Sequence, residues 1–422
     1  MSDTRFIRSI RLDGFLSFAP GSERIDLAPL NVVIGPNGSG KSNLIEAIEL
    51  LHAAPTAFAA AIRDGGGVQE WLWKGEKPKD PAVIEAIIQG SPPMIPDLPE
   101  AVRRRERIAR QIIQDSLPMI PDLRYRLAFA ASGYRTEVVD EAIEEPEKRH
   151  ASEKDVFFYY RFQHGRPVLC VRTVSGGREK RSLQREDLKP DESVLSQRKD
   201  PDFYPEVTWL GRRFEQIQTF REWSFGRYAP LRQPQPADMP SSPLLPDSRN
   251  LGLLLNEIEH IDAGAELNRL LTLFLPRYQR FSTRIQGGSV QFYLHERGLL
   301  APIPATRLSD GTIRFMAILA LLLSPSPPPL ICIEEPELGL HPDAVALLAE
   351  LLIDSAERTQ LVVTTHSDAL LSAFTEHPSS VLVCEHRNGT VLERLDPERL
   401  TFWLEAYRLG EVWRIGELGG NP

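Results

Sequence analysis

The sequence predicts an α/β fold, a mixed sheet flanked by helices, with a small antiparallel β region beside it. Three observations lead there. The C-terminal quarter alternates apolar strand-like and helix-like runs: Leu330 to Ile333, Ala344 to Ala356, Leu361 to Thr365, Ala369 to Phe374 and Val381 to Cys384. Near the start, the run Leu30 to Ile34 stops at a glycine-rich loop, after which Leu44, Ile45, Ile48 and Leu51 recur at helical spacing. In between, Tyr125 to Phe129, Val156 to Phe162 and Val168 to Val171 read as a small antiparallel sheet with a turn at Gly165-Arg166.

The remaining elements follow in order. Phe6 to Leu12 alternates like a half-buried strand and leads through Gly14 to Phe18 into a turn at Pro20-Gly21. From Gly65 to Leu123 the composition shifts to glycines, prolines and the arginine-rich Ala101 to Arg110, as expected of an insertion. Within it Ile87 to Leu98 nearly recurs at Ile112 to Leu123, read as a duplicated helix end with a proline-bounded turn. Pro230 to Pro246 is an irregular connection, Leu251 to Leu275 is helical, Val290 to Leu294 is a strand and Thr312 to Leu323 a buried helix. No heptad pattern is sustained, so no coiled-coil arm is expected.

Composition excludes several classes. The 422 residues carry 49 Lys+Arg and 58 Asp+Glu, a formal net charge of −9, and are 42% hydrophobic, which suits a globular chain of one large or a few ordinary domains. The longest apolar run, Phe315 to Leu323, falls far short of the roughly 20 residues of a membrane span, and the N-terminus lacks a signal-peptide core. A cytoplasmic protein with no membrane partner is expected. Cys170, Cys332 and Cys384 lie far apart, so neither a disulfide framework nor a structural zinc site is indicated.

Four motifs carry chemistry. Gly35-Pro36-Asn37-Gly38-Ser39-Gly40-Lys41-Ser42, followed by Asn43, matches G-x-x-x-x-G-K-[ST] between a strand and a helix. Its amides would face phosphate oxygens, Lys41 would reach the β- and γ-phosphates, and the Ser42 hydroxyl would hold Mg²⁺. The strand Leu330 to Ile333 ends in Glu334-Glu335-Pro336-Glu337; Glu334 is the candidate metal ligand and Glu335 the candidate base for the attacking water. A solvated acidic turn is the plain alternative. His366, in Thr364-Thr365-His366-Ser367, could sense the γ-phosphate as a neutral imidazole, or be structural. Ser309, in Leu308-Ser309-Asp310-Gly311-Thr312, fits a helix N-cap; with the N–H groups around Gly311 it could equally form an anion site.

In this order the motifs resemble the ATP-binding-cassette ATPases, in the branch of RecF, the structural-maintenance-of-chromosomes heads and the overcoming-lysogenization-defect (OLD) nucleases. GPNGSGKSN looks like Walker A, LSDGT the signature, ICIEEPE Walker B, GLHPD the D-loop region and TTHS the switch histidine. The resemblance covers about residues 1–75 and 300–422 and implies a P-loop fold with an antiparallel β subdomain and a mainly helical insertion. The corresponding division is an N-terminal lobe at 1–180 with an insertion at about 76–123, an inserted, partly helical region at 181–300, and a C-terminal lobe at 301–422. It implies ATP and Mg²⁺ as ligands, and a head-to-tail homodimer in which Ser309 and Gly311 of one copy cap the nucleotide of the other. It further implies a DNA- or RNA-related role in genome maintenance or anti-phage defence, with a separately encoded nuclease as effector. The arginines 103, 104, 105, 107 and 110 could contact nucleic acid or be a solvated helix face. The competing reading is a transporter-like or protein-remodelling ATPase without nucleic acid. Departures from the pattern are Glu334 in place of Asp, Asp310 in place of Gly, Leu16 in place of a basic residue, and no Q-loop glutamine beyond Gln69.

Overall fold

The structure, a computed structural model, describes residues 3–76, 81–90, 119–163, 165–173 and 177–419. At its centre lies a six-stranded sheet in the order β10-β15-β16-β3-β17-β18. Its strands are β10 (Gln218–Phe220), β15 (Leu330–Glu334), β16 (Gln360–Thr364), β3 (Leu30–Ile34), β17 (Val381–His386) and β18 (Thr390–Arg394). All run parallel except β18, which returns antiparallel on β17.

These strands read as continuous apolar runs because both faces are covered. Val32, Ile34, Ile331, Ile333, Leu361 and Val363 face one core, and Val33, Leu330, Cys332 and Val362 face the other. The first core is closed by helices α6 (Leu251–Glu259), α7 (Ala263–Phe274), α8 (Asp310–Leu322), α9 (Pro342–Ser355) and α10 (Asp368–Ala373), with α12 (Leu409–Arg414) at the end of the chain. Helix α8 is buried almost all round, as its unbroken apolar sequence requires.

The second core holds α1 (Lys41–Ala53) and α5 (Pro205–Glu215) between the central sheet and an eight-stranded antiparallel sheet, order β2-β1-β4-β5-β6-β7-β8-β9. Those strands are β1 (Ile7–Asp13), β2 (Ile25–Asp26), β4 (Ala82–Ile88), β5 (Leu123–Ser132), β6 (Arg135–Glu144), β7 (Phe158–Gln163), β8 (Arg166–Arg172) and β9 (Arg178–Ser182). One buried side chain ties the two sheets together. Gln360 Oε1 accepts from Phe6 N (3.0 Å) and Ile7 N (2.8 Å), while Nε2 donates to Ile7 O (2.8 Å) and Ala28 O (3.0 Å).

Several expectations need correction. The antiparallel sheet is not small: β6 adds a strand whose sequence, RTEVVDEAIE, is too acidic to read as one, and β9 another whose sequence, REKRS, is wholly polar. Ile87 lies in β4, which pairs with β1 and β5, so the first copy of the duplication begins in a strand and not at a helix end. Residues 91–118, with the arginine cluster and most of the duplication, lie outside the described residues, as do 420–422. The helical stretch after Leu251 is two helices broken at 260–262, and the strand at Ser289–Glu296 (β13) has an unforeseen partner, β12 (Tyr278–Gln286).

Candidate functional site

Between β3 and α1 the loop Gly35 to Gly40 is fixed from behind. At Gly35 (φ 149°) a Cβ would stand 2.2 Å from the Cys384 carbonyl oxygen, and at Gly40 (φ 106°) 2.0 Å from Thr390 Oγ1, so only glycine fits. Thr390 Oγ1 donates to Ser39 O (2.6 Å) and lies 2.6 Å from Ser17 Oγ, to which Asn43 Nδ2 also donates (2.6 Å). Asn37 and Gly38 are exposed at the rim, Pro36 is half-buried, and Ser39 and Lys41 are buried. No side chain caps α1, which leaves its first N–H groups to the loop. Lys41 Nζ donates to the carbonyls of Gly35 (2.8 Å) and Pro36 (2.9 Å). Burial lowers its pKa, and Cys384, Glu335 and Glu334 nearby oppose that.

The acids arrive at the same mouth because β15 and β16 run parallel beside β3 and end together. Ser42 Oγ donates to Glu334 Oε1. Glu335 takes a left-handed conformation (φ 47°) with its N–H on Thr364 O (2.9 Å), which aims its carboxylate at His366: Oε1 is 3.5 Å from Nε2. Burial and the charge of Lys41 hold the His366 pKa below its ordinary value, so the imidazole is neutral at neutral pH. Thr365 Oγ1 donates to buried Glu337 and accepts from Ser367 N (3.0 Å), and Ser367 caps α10. The histidine loop is thus pinned on both sides.

The donor chemistry here fits magnesium. Ser42 and Glu334 present two hard oxygens to each other, and among the described residues no cluster of three or more His, Cys, Asp or Glu could hold a metal alone. Magnesium commonly takes one or two protein oxygens and completes its shell with phosphate and water.

Ser309 and Asp310 are exposed at the start of α8, between buried Leu308 and Thr312, and Gly311 backs onto the Gly339 carbonyl. Ser309 Oγ caps the helix, accepting from Thr312 N (3.1 Å). The turn rests on Arg232, which donates to Phe225 O (2.7 Å), Ala305 O (3.1 Å) and Leu308 O (2.6 Å) and pairs with Asp310. Asp310 therefore has a local reason to be acidic: it neutralises an arginine only 2% exposed.

Sequence reasoning missed Arg232 and Arg221, since neither lies in a recognisable pattern. Arg221 follows β10 and binds Glu334 Oε2 (3.1 Å), Glu49 Oε2 (3.0 Å) and Glu46 Oε1 (3.1 Å). Although burial opposes it, these carboxylates raise the guanidinium's pKa still further. Gln69 is exposed on the short helix α3 (Val68–Trp71), and Leu16 also takes a left-handed conformation (φ 48°).

The family described as "AAA domain, putative AbiEii toxin, Type IV TA system" matches residues 30–93 and 126–372. Among curated proteins the chain is 38% identical over 73 residues to the Old nuclease of Escherichia phage P2. It is 36% identical over 84 residues to the chromosome partition protein Smc of Rhodopirellula baltica. These matches cover 17% and 19% of the chain, and 12% and 7% of those proteins. Among solved structures, an Smc head bound to the C-winged helix domain of ScpA aligns with a TM-score of 0.53 at 13% identity, over 93% of this chain and 99% of that one. A second Smc head, with an extended coiled coil and bound to the C-terminal domain of ScpA derived from Pyrococcus furiosus, also gives 0.53 at 13% identity, over 95% and 98%.

Proposed function

We propose, from the premise that the chain belongs to this AAA-domain family and is a P-loop ATPase with the fold of an Smc head, that its ATP is held between two copies arranged head to tail. One observation carries the reading. Lys41, Ser42, Glu334, Glu335 and His366 converge in one mouth, while Ser309 stands exposed on a turn braced from within by a buried arginine. The loop amides and the start of α1 bind the triphosphate, and Lys41 exchanges its two carbonyl partners for phosphate oxygens. Ser42 and Glu334 would hold the magnesium ion, which would supply charge neutralisation for the triphosphate. Glu335 takes the proton of the attacking water, and neutral His366, 3.5 Å from it, orients that water or the γ-phosphate. Ser309 and the amides around Gly311 of the second copy close over the γ-phosphate, so hydrolysis loosens the pair.

The cycle serves a DNA- or RNA-responsive process with a separate effector such as a nuclease. The partial likeness to a nuclease and to a chromosome partition protein supports this. The test is one hydrolysis series, wild type beside Glu335→Gln, with and without nucleic acid at rising salt. Loss of the base is expected to slow turnover by about 10²–10⁴-fold and to leave an ATP-bound dimer. Nucleic acid is expected to stimulate the wild type in a strongly salt-sensitive way. Wild-type turnover in Glu335→Gln contradicts the base assignment, and no response to any nucleic acid contradicts the process.

A further inference from the structure

Arg221 leaves the edge strand β10 beside the carboxylate end of β15, where its guanidinium meets three acids at 3.0 to 3.1 Å. Two of them, Glu46 and Glu49, sit on α1, the helix that leads away from the phosphate loop. The third, Glu334, is the carboxylate that also accepts from Ser42. Both oxygens of Glu334 are thereby engaged, Oε1 by a hydroxyl and Oε2 by a fixed positive charge. An arginine does not deprotonate, so it can vacate Glu334 only by moving. It has somewhere to go. Glu46 and Glu49 remain as counter-charges, and a cavity of about 450 Å³ lined by Glu49, Arg221, Trp223, Pro246 and Glu334 opens beside it.

We propose that Arg221 is a cationic placeholder: in the nucleotide-free chain it neutralises Glu334, and it gives that carboxylate up to the magnesium that arrives with the nucleotide, falling back on Glu46 and Glu49. Arg221 is a positioning residue, and its effect is to make nucleotide binding less dependent on magnesium than an unopposed Glu334 would.

The inference rests on the ATPase reading, and its test separates the two. The affinity of the full chain for the fluorescent nucleotide mant-ATP is measured in excess MgCl₂ and in EDTA, and the ratio of the two is compared between variants. Arg221→Gln is expected to raise the magnesium dependence about three- to tenfold, Arg221→Lys to restore the wild-type ratio, and Glu49→Gln, which drives Arg221 onto Glu334, to lower it. An Arg221→Gln ratio at or below wild type overturns the proposal, because a guanidinium that merely bolts β10 to α1 would change stability and not this ratio. If Arg221→Gln does not fold, Glu49→Gln decides: a lowered ratio supports the placeholder and an unchanged or raised one overturns it. Failure of the wild type to bind mant-ATP in either condition would contradict the nucleotide site itself.

Discussion

Arg232 shows what a buried charge does when each of its three nitrogens has an acceptor. Its guanidinium is spent on three carbonyls and Asp310; Ala305, Leu308 and Asp310 lie at or next to the turn that presents Ser309, and Phe225 lies on the segment that carries the arginine. In Arg232→Met those carbonyls lose their donor inside the core, at a cost on the order of 3 kcal/mol. The expected result is a lower urea midpoint and loss of hydrolysis with mant-ATP binding retained, because the Lys41 mouth stands on other strands. Unchanged hydrolysis would mean that the turn does not depend on this brace. At this scale the sequence displays what lies at or beyond the ends of apolar runs: Glu334 ends a strand, Glu335 and His366 come just after one, Lys41 and Ser42 come after the glycine loop that follows one, and the structure brings all five together. Arg221 and Arg232 act across 113 and 78 residues of separation, and no spacing rule reveals such a contact.

Strand β6 and the short helix α4 (Val194–Gln197) are joined by one carboxylate. Glu141 is fully buried and accepts from Tyr125 OH (2.9 Å), Ser193 Oγ (2.5 Å) and Val194 N (2.9 Å), so it clips the helix start to the antiparallel sheet. Burial outweighs these donors and pushes its pKa from 4.5 up to about 7. The folded chain thus holds a proton that the unfolded chain gives up earlier. Glu141's contribution to stability is full below pH 4.5 and is lost as pH rises through about 7, on the order of 3 kcal/mol at most. Thermal melts of Glu141→Gln against wild type check this: the wild-type melting temperature is expected to fall more steeply with pH over that window. Parallel slopes would place the Glu141 proton elsewhere. This strand was also the least legible kind of element, half its residues charged, its place fixed by partners on both sides. The central strands were legible for the opposite reason: burial on both faces leaves an uninterrupted apolar run.

Across the whole molecule, two sheets share one set of helices, and the central sheet carries the nucleotide mouth on strands drawn from both ends of the chain. The parallel core could be inferred from the C-terminal alternation. The join between it and the antiparallel sheet could not, because it runs through side chains far apart in sequence from their partners: Gln360 on the backbone of Phe6 and Ile7, and Arg394 on the carbonyl of Asp26. A shared nucleotide requires that Lys41 of one copy and Ser309 of another act on the same ATP. Lys41→Ala and Ser309→Arg proteins, each inactive alone, are therefore mixed and hydrolysis is followed. One intact composite site forms in the mixed dimer, so activity should return on mixing and rise with the fraction of mixed pairs. If each variant folds and the mixture hydrolyses no more than the two parts measured apart, the nucleotide is not shared between copies.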